Sequence, residues 1–258
     1  VYGNNYHSSN STPLLLSIQF RNDTYVTEEL LQSYADTNAV DIHGFTALMY
    51  AMQKDNGDFA ELCLTYMKPR IRDKGFQGDA LSQEFRTKLD AKDGLGYTAL
   101  MYGAEYGNVQ AVKALIGAGA DVNQINSEDG HNALIYACRT NSHLEETYGS
   151  DAMASKKAAI VEMLLKAGTK YKFVRDRYGK NALMIAAENG ECLCLKEILT
   201  HHEKKTRDIK RRRELVAGRA DAQFFVDMGK KGESSSGGET ALCLASKYDH
   251  TQCVDLLL

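Results

Sequence analysis

The chain has 258 residues, 43% of them hydrophobic and 25% charged, with a formal net charge of -3. That length permits a sizeable buried core, and the balance is that of an ordinary globular protein, which excludes wholesale disorder. The near-neutral charge supplies no global attraction to nucleic acid or to an acidic membrane. Only two prolines, Pro13 and Pro69, interrupt a chain rich in Ala and Leu, a composition that favours helices. No apolar run approaches the ~18 residues that a membrane helix requires. Val1–Thr12 is polar and holds no signal-peptide core. The chain opens on Val1 and stops within the apolar run Val254–Leu258, so it reads as a fragment of a longer protein.

Taken in order, the predicted elements repeat one phrase. Thr12-Pro13-Leu14-Leu15-Leu16 opens the series, followed by Thr46-Ala47-Leu48-Met49-Tyr50-Ala51 and Thr98-Ala99-Leu100-Met101-Tyr102. Asn132-Ala133-Leu134-Ile135-Tyr136-Ala137, Asn181-Ala182-Leu183-Met184-Ile185-Ala186 and Thr240-Ala241-Leu242-Cys243-Leu244-Ala245 complete it. The starts lie 34, 52, 34, 49 and 59 residues apart, a unit of about 33 residues with insertions. A glycine stands two residues before five of the copies, at Gly44, Gly96, Gly130, Gly179 and Gly238. Asp41, Asp93 and Asp176 stand five before.

Each part has a physical reason. Asp-x-x-Gly is a turn signature, the carboxylate accepting from the backbone and the glycine tolerating positive φ. Thr or Asn then caps a helix whose Ala-Leu-x-x-Ala pattern makes a thin apolar face. Ala51, Ala104, Ala137 and Ala186 permit close helix approach. Gly107 and Gly190 mark helix ends, and second helices follow at Val109–Ile116, Ile160–Leu165 and Leu193–Leu199.

Turn, helix and helix together resemble the ankyrin repeat. The fullest copy, Asp93 to Asn123, matches that family at Gly96, Thr98, Leu100, Ala104, Gly107, Asn108, Val112, Leu115, Gly119, Ala120, Asp121 and Asn123. The resemblance implies an all-α solenoid of about six helix-turn-helix repeats with hairpin turns. They span approximately 8–38, 41–67, 93–123, 127–169, 176–199 and 235–258, in a single array expected to be monomeric. Glu28–Tyr34 is expected as the second helix of repeat one. Two family positions depart. Proline after the capping residue survives only at Pro13, and the family's histidine is replaced by Met49, Met101, Ile135, Met184 or Cys243, which predicts weaker hydrogen bonding between repeats.

Three insertions interrupt the array, at Lys68–Lys88, Arg139–Ser155 and Thr200–Ser234. The third carries ten Lys or Arg against six Asp or Glu, including the run Lys204–Arg213. That run is either the solvated face of a helix or a site for nucleic acid, acidic membrane or a nuclear-import receptor. Val216, Ala220, Phe224 and Met228 are spaced for an amphipathic helix, and 233–238 reads as a flexible Gly/Ser-rich segment. The six cysteines form neither a disulfide framework nor a paired CxxC, which points to free buried thiols in a reducing compartment. Cys192 and Cys194, with His201 and His202 near them, lack a second ligand pair for zinc. Tyr50, Tyr102 and Tyr136 recur at one position and read as packed core, with a ligand-stacking stripe as the alternative.

In ankyrin-like proteins the hairpin tips and the first-helix ends on the concave side commonly hold a partner. The tips here are His43, Phe45, Leu95, Tyr97, His131, Tyr178 and Lys180. The helix-end positions are Gln53, Lys54, Glu105, Tyr106, Arg139, Glu188, Lys247 and Tyr248. No phosphate loop, HExxH or GxSxG occurs, and the seven histidines are scattered. The expectation is an intracellular protein–protein interaction scaffold, cytoplasmic with the nucleus as the alternative, that is not an enzyme and needs no cofactor. The alternative is the substrate-targeting region of a larger enzyme such as a kinase, a ligase or a secreted effector.

Overall fold

A computed structural model describes residues 11–20, 24–54, 57–73, 78–171, 174–213 and 240–258. Among the described residues the chain is all-helical, and its only β features are two isolated antiparallel bridges, Val40 with Thr46 and Lys92 with Thr98. It divides into two compact units, Val1–Glu128 and Asp129–Leu258.

In the first unit, α1 (Pro13–Phe20), α3 (Ala47–Met52) and α6 (Ala99–Glu105) form an inner layer, α3 packing on both neighbours. An outer layer holds α2 (Tyr25–Gln32), α4 (Asp58–Asp73) and α7 (Val109–Ala118), with α4 against α2 and α7. The local causes repeat. Thr46 Oγ1 accepts from the Met49 N–H at 3.2 Å and Thr98 Oγ1 from the Met101 N–H at 3.3 Å, caps worth about 1 kcal/mol each. In return Met49 and Met101 present Sδ to the Thr46 and Thr98 N–H groups at 3.5 Å, so a weak sulfur acceptor stands where the family has histidine. Every residue of α3 is buried. At Gly103 a side chain would meet Val112 at 2.9 Å and Met52 at 3.1 Å, so glycine sets how closely α6 lies to α7 and α3.

The second unit repeats the plan. Inner helices α8 (Ala133–Ala137), α11 (Ala182–Asn189) and α13 (Ala241–Lys247) pack in series. Outer helices α10 (Ser150–Lys166), α12 (Cys192–Arg213) and α14 (Thr251–Leu257) do likewise. Asn132, Asn181 and Thr240 cap the inner three. Within each unit, one repeat closes the carbonyl ends of the one before. Asn108 Nδ2 donates to the Lys54 carbonyl, Asn189 Nδ2 to that of Cys138 at 3.3 Å, and His250 Nε2 sits 3.0 Å from that of Glu188. Such contacts, with hairpin bonds from Gly94 N–H to His43 O and from Arg177 N–H to Asp129 O, supply coupling that the missing histidines do not.

Several expectations need correction. The second helix of repeat one is Tyr25–Gln32 rather than Glu28–Tyr34, because Thr27 and Leu31 are the buried face and Tyr34, at φ 64°, ends the helix. The described parts of the insertions, whose order the sequence left open, are largely helical. The α4 backbone runs on through Pro69 to Asp73, and α5 (Gly78–Leu89) packs on α4. α9 (Ser142–Tyr148) and the first turns of α10 fill Arg139–Ser155. The cysteines are not all free. Cys192 and Cys253 form a disulfide with Cα atoms 5.1 Å apart, a normal span, joining α12 to α14. Cys63, Cys138 and Cys194 lie outside the disulfide and are buried, while Cys243 lies outside it and is exposed. The spacing predicted as an amphipathic helix at 216–228, the segment 233–238 and the outset of repeats one and six lie outside the described residues.

Candidate functional site

The hairpins are built around aspartate. Asp41 Oδ1 accepts from the N–H groups of His43 and Phe45, both at 2.9 Å, while Oδ2 accepts from the Tyr50 hydroxyl at 2.7 Å. Asp93 does the same with Leu95 at 2.9 Å, Tyr97 at 2.8 Å and the Tyr102 hydroxyl at 2.6 Å. Each carboxylate is buried, with all three donors neutral. Burial, and then Asp93 beside it, push the Tyr102 phenol well above its ordinary range, so it remains a donor. Tyr50, Tyr102 and Tyr136 are therefore core residues with a polar duty, tying each inner helix to its own turn. The sequence placed them correctly in the core without showing that duty.

That tie leaves Phe45, Tyr97 and Tyr106 half-buried around Tyr102. Ring centroids run Tyr50 to Phe45 at 5.2 Å, Phe45 to Tyr102 at 5.1 Å, Tyr102 to Tyr97 at 4.9 Å and Tyr102 to Tyr106 at 6.4 Å. Three residues predicted separately thus share one aromatic strip. His43 and Leu95 are exposed beside it, as are Val40, Ile42 and Ile125. Gln53 and Glu105 are half-buried at the inner-helix ends, and Glu105 lies close enough to act on the charge of Tyr102. Lys54 is engaged, its Nζ donating to the Gln19 carbonyl at 2.8 Å, and burial lowers its pKa.

The second unit treats the equivalent positions differently. His131 is mostly enclosed. Its Nδ1 lies 3.0 Å from Asp129 Oδ2, off the hydrogen-bond direction, and its Nε2 is 3.9 Å from Asp176 Oδ2. Burial would raise the Asp176 carboxyl, but His131 and the N–H groups of Lys180 and Tyr178 outweigh it and hold it below its usual range. Lys180 grips Glu188 at 2.7 and 2.8 Å. Arg139 lies over the Tyr136 ring at 5.7 Å and Lys247 over Tyr248 at 5.5 Å. Tyr178 is exposed at its turn, with Arg177 5.8 Å from the ring. Of the second unit's predicted contacts, Lys180 and Glu188 are thus committed to an internal ion pair, and His131 is enclosed beside Asp129 and Asp176.

Sequence reasoning missed the buried charged cluster of this unit. Lys157 is fully buried, its Nζ 2.5 Å from Glu191 and 3.3 Å from Glu145. Burial raises the Glu191 carboxyl against the opposing pull of Lys157. The Cys138 thiol is pushed up by its contact with Cys194 and by burial. A lysine within the helical run 150–166 gives no sign in sequence that it points inward. The basic stretch Lys204–Arg213 continues the backbone of α12. No helix among the described residues is long and apolar enough to cross a membrane.

Within each unit, hairpin, capped inner helix and outer helix recur as stacked helical repeats of the solenoid kind. The family model for ankyrin repeats (three copies) matches residues 78–146 and 151–258, and the chain belongs to the ankyrin repeat family, whose repeats typically mediate protein binding. A crystal structure of an ankyrin repeat domain from Acinetobacter baumannii AYE aligns with a TM-score of 0.55 and 25% identity, covering 74% of this chain and 82% of that one. A palmitoyltransferase AKR1 from Lachancea kluyveri is 30% identical over 149 residues, covering 50% of this chain and 20% of that protein. The chain thus spans only about a fifth of the length of that curated relative.

Proposed function

We propose that the chain is a protein-interaction module that takes a partner on its hairpin tips and inner-helix ends and performs no catalytic step itself. The supporting observation is the strip in which Phe45, Tyr97 and Tyr106 meet around Tyr102, beside exposed Ile42 and Leu95. Aromatic residues that keep part of their surface in water while their bases are fixed by packing are effective anchors, since little rotamer freedom remains to be lost on binding. The turns beneath are held by the Asp41 and Asp93 bonds, so the strip is preorganised. Pull-downs with the parent chain and with a Phe45→Ala/Tyr97→Ala/Tyr106→Ala variant of unchanged helical content test this reading. Partners captured by the parent and lost by the variant support it, and equal capture contradicts it.

A second reading has one observation in its favour. The relative from Lachancea kluyveri is a palmitoyltransferase, of which the matched region is a fifth. Under that reading this array is the substrate-targeting part of a larger enzyme, and the full open reading frame decides it. An intracellular setting accompanies either reading, with the buried thiols of Cys138 and Cys194 in its favour and the Cys192–Cys253 disulfide against it.

A further inference from the structure

The two stretches that build the aromatic strip, 41–53 and 93–112, hold Asp41, Asp93 and Glu105 and no Lys or Arg, and the flanking Lys54 and Lys92 are tied to the Gln19 and Ile125 carbonyls. Asp41 and Asp93 sit under the rings, and their donors are neutral N–H groups and phenols, so their charge is not cancelled by a bonded cation. Glu105 adds a third negative charge near Tyr102. Around the strip, the first unit carries 16 acidic against 10 basic side chains, a net charge of -6.

The second unit shows what this architecture does where the sequence supplies cations at the same repeat positions. Arg139 stands seven residues after its capping residue Asn132, as Glu105 does after Thr98 and Lys247 after Thr240, and its guanidinium lies over the Tyr136 ring. Lys247, at the end of α13, lies over Tyr248. Both are within the ~6 Å at which a cation is attracted to a ring face.

We propose that the strip of Phe45, Tyr97 and Tyr106 binds an extended segment of another protein through Arg or Lys side chains laid on these rings, with Glu105 as their counter-charge. The inference rests on the reading of the hairpin face given above and adds the chemistry of the partner to it. Charge complementarity selects a cationic segment over a neutral or acidic one, and the low-entropy ring surface selects Arg above Lys because a planar guanidinium stacks.

The test is a selection of phage-displayed random peptides on the full chain, followed by binding measurements on the peptides recovered. The expected result is enrichment of Arg and Lys over the unselected pool. Affinity should fall about two- to fivefold for each ring removed by Tyr97→Leu or Tyr106→Leu, changes that keep apolar bulk while deleting the π face. Citrulline in place of the peptide's Arg should cost at least as much, and Glu105→Gln should weaken binding and flatten its salt dependence. A pool without Arg or Lys enrichment that still depends on Phe45 and Tyr97 overturns the cationic partner while leaving the face intact. A pool indifferent to the ring variants overturns both. If changing the Lys and Arg of 204–213 to Gln raises peptide capture, the strip belongs to the chain's own basic run and the foreign partner is excluded.

Discussion

The two units are built on one repeat and differ in how they spend their charges. In the first, with a net charge of -6, the Asp41 and Asp93 carboxylates at the turns are held by neutral phenols and N–H groups, and they and Glu105 lie beside the aromatic strip. In the second, at net +3, charges are turned inward or onto neighbours. Lys157 is sealed between Glu191 and Glu145, Lys180 holds Glu188, Arg139 covers Tyr136, and a disulfide ties α14 to α12. The same backbone plan therefore yields one unit whose polar groups fix an outward-facing surface and another whose polar groups fix its own interior.

The largest effect that would break this contrast is at Lys157. Lys157→Met strands Glu191 in the core and should destabilise the second unit by about 3–5 kcal/mol, whereas Lys157→Met with Glu191→Gln should recover most of that loss. Urea denaturation of the two variants checks it, and equal losses would mean that the pair is not the interior keystone described here. Next is the disulfide. Its 61-residue separation predicts a loss of up to about 4 kcal/mol on reduction by the chain-entropy argument, seen as faster amide exchange in α13 and α14 under reductant, with the first unit unaffected.

The phenol bonds of the first unit sharpen the comparison at a smaller scale. Tyr102→Phe leaves Asp93 Oδ2 without its donor and should cost about 1–3 kcal/mol, despite a nearly identical shape. A stability unchanged within error would show that the bond is ornamental. The smallest effect is a gain. The Asn132 cap leaves its buried Nδ2 without a partner, whereas threonine caps the equivalent helix at Thr46, Thr98 and Thr240. Asn132→Thr should keep the cap and remove the stranded donor, raising stability by about 1 kcal/mol in thermal melts.

What could be read in the sequence was whatever repeats. Turn, cap and inner helix recur in step, so Asp41, Gly44, Thr46 and their counterparts announced the hairpins, and the tips Phe45 and Tyr97 followed from position alone. The partnerships could not be read in this way. Nothing at position 50 or 102 distinguishes a tyrosine that fills space from one whose hydroxyl reaches back nine residues to an aspartate. Asp129 does the same work three residues before its cap rather than five, so spacing concealed it. His131 looked like a tip and became a bridge between carboxylates, because the neighbouring turn supplies Asp176. The insertions could be located but not their helices α5 and α9, which bring no repeat signal, while Cys192 and Cys253 meet only once α14 has stacked on α12.

The central claim is that partners dock on the aromatic strip of the first unit. Amide hydrogen exchange of the full chain, measured with and without a partner recovered by the pull-down, tests it most directly. Protection concentrated in 41–54 and 93–106 is the predicted result. Protection confined to α5, α9 or the basic end of α12, with those two stretches unchanged, would contradict it.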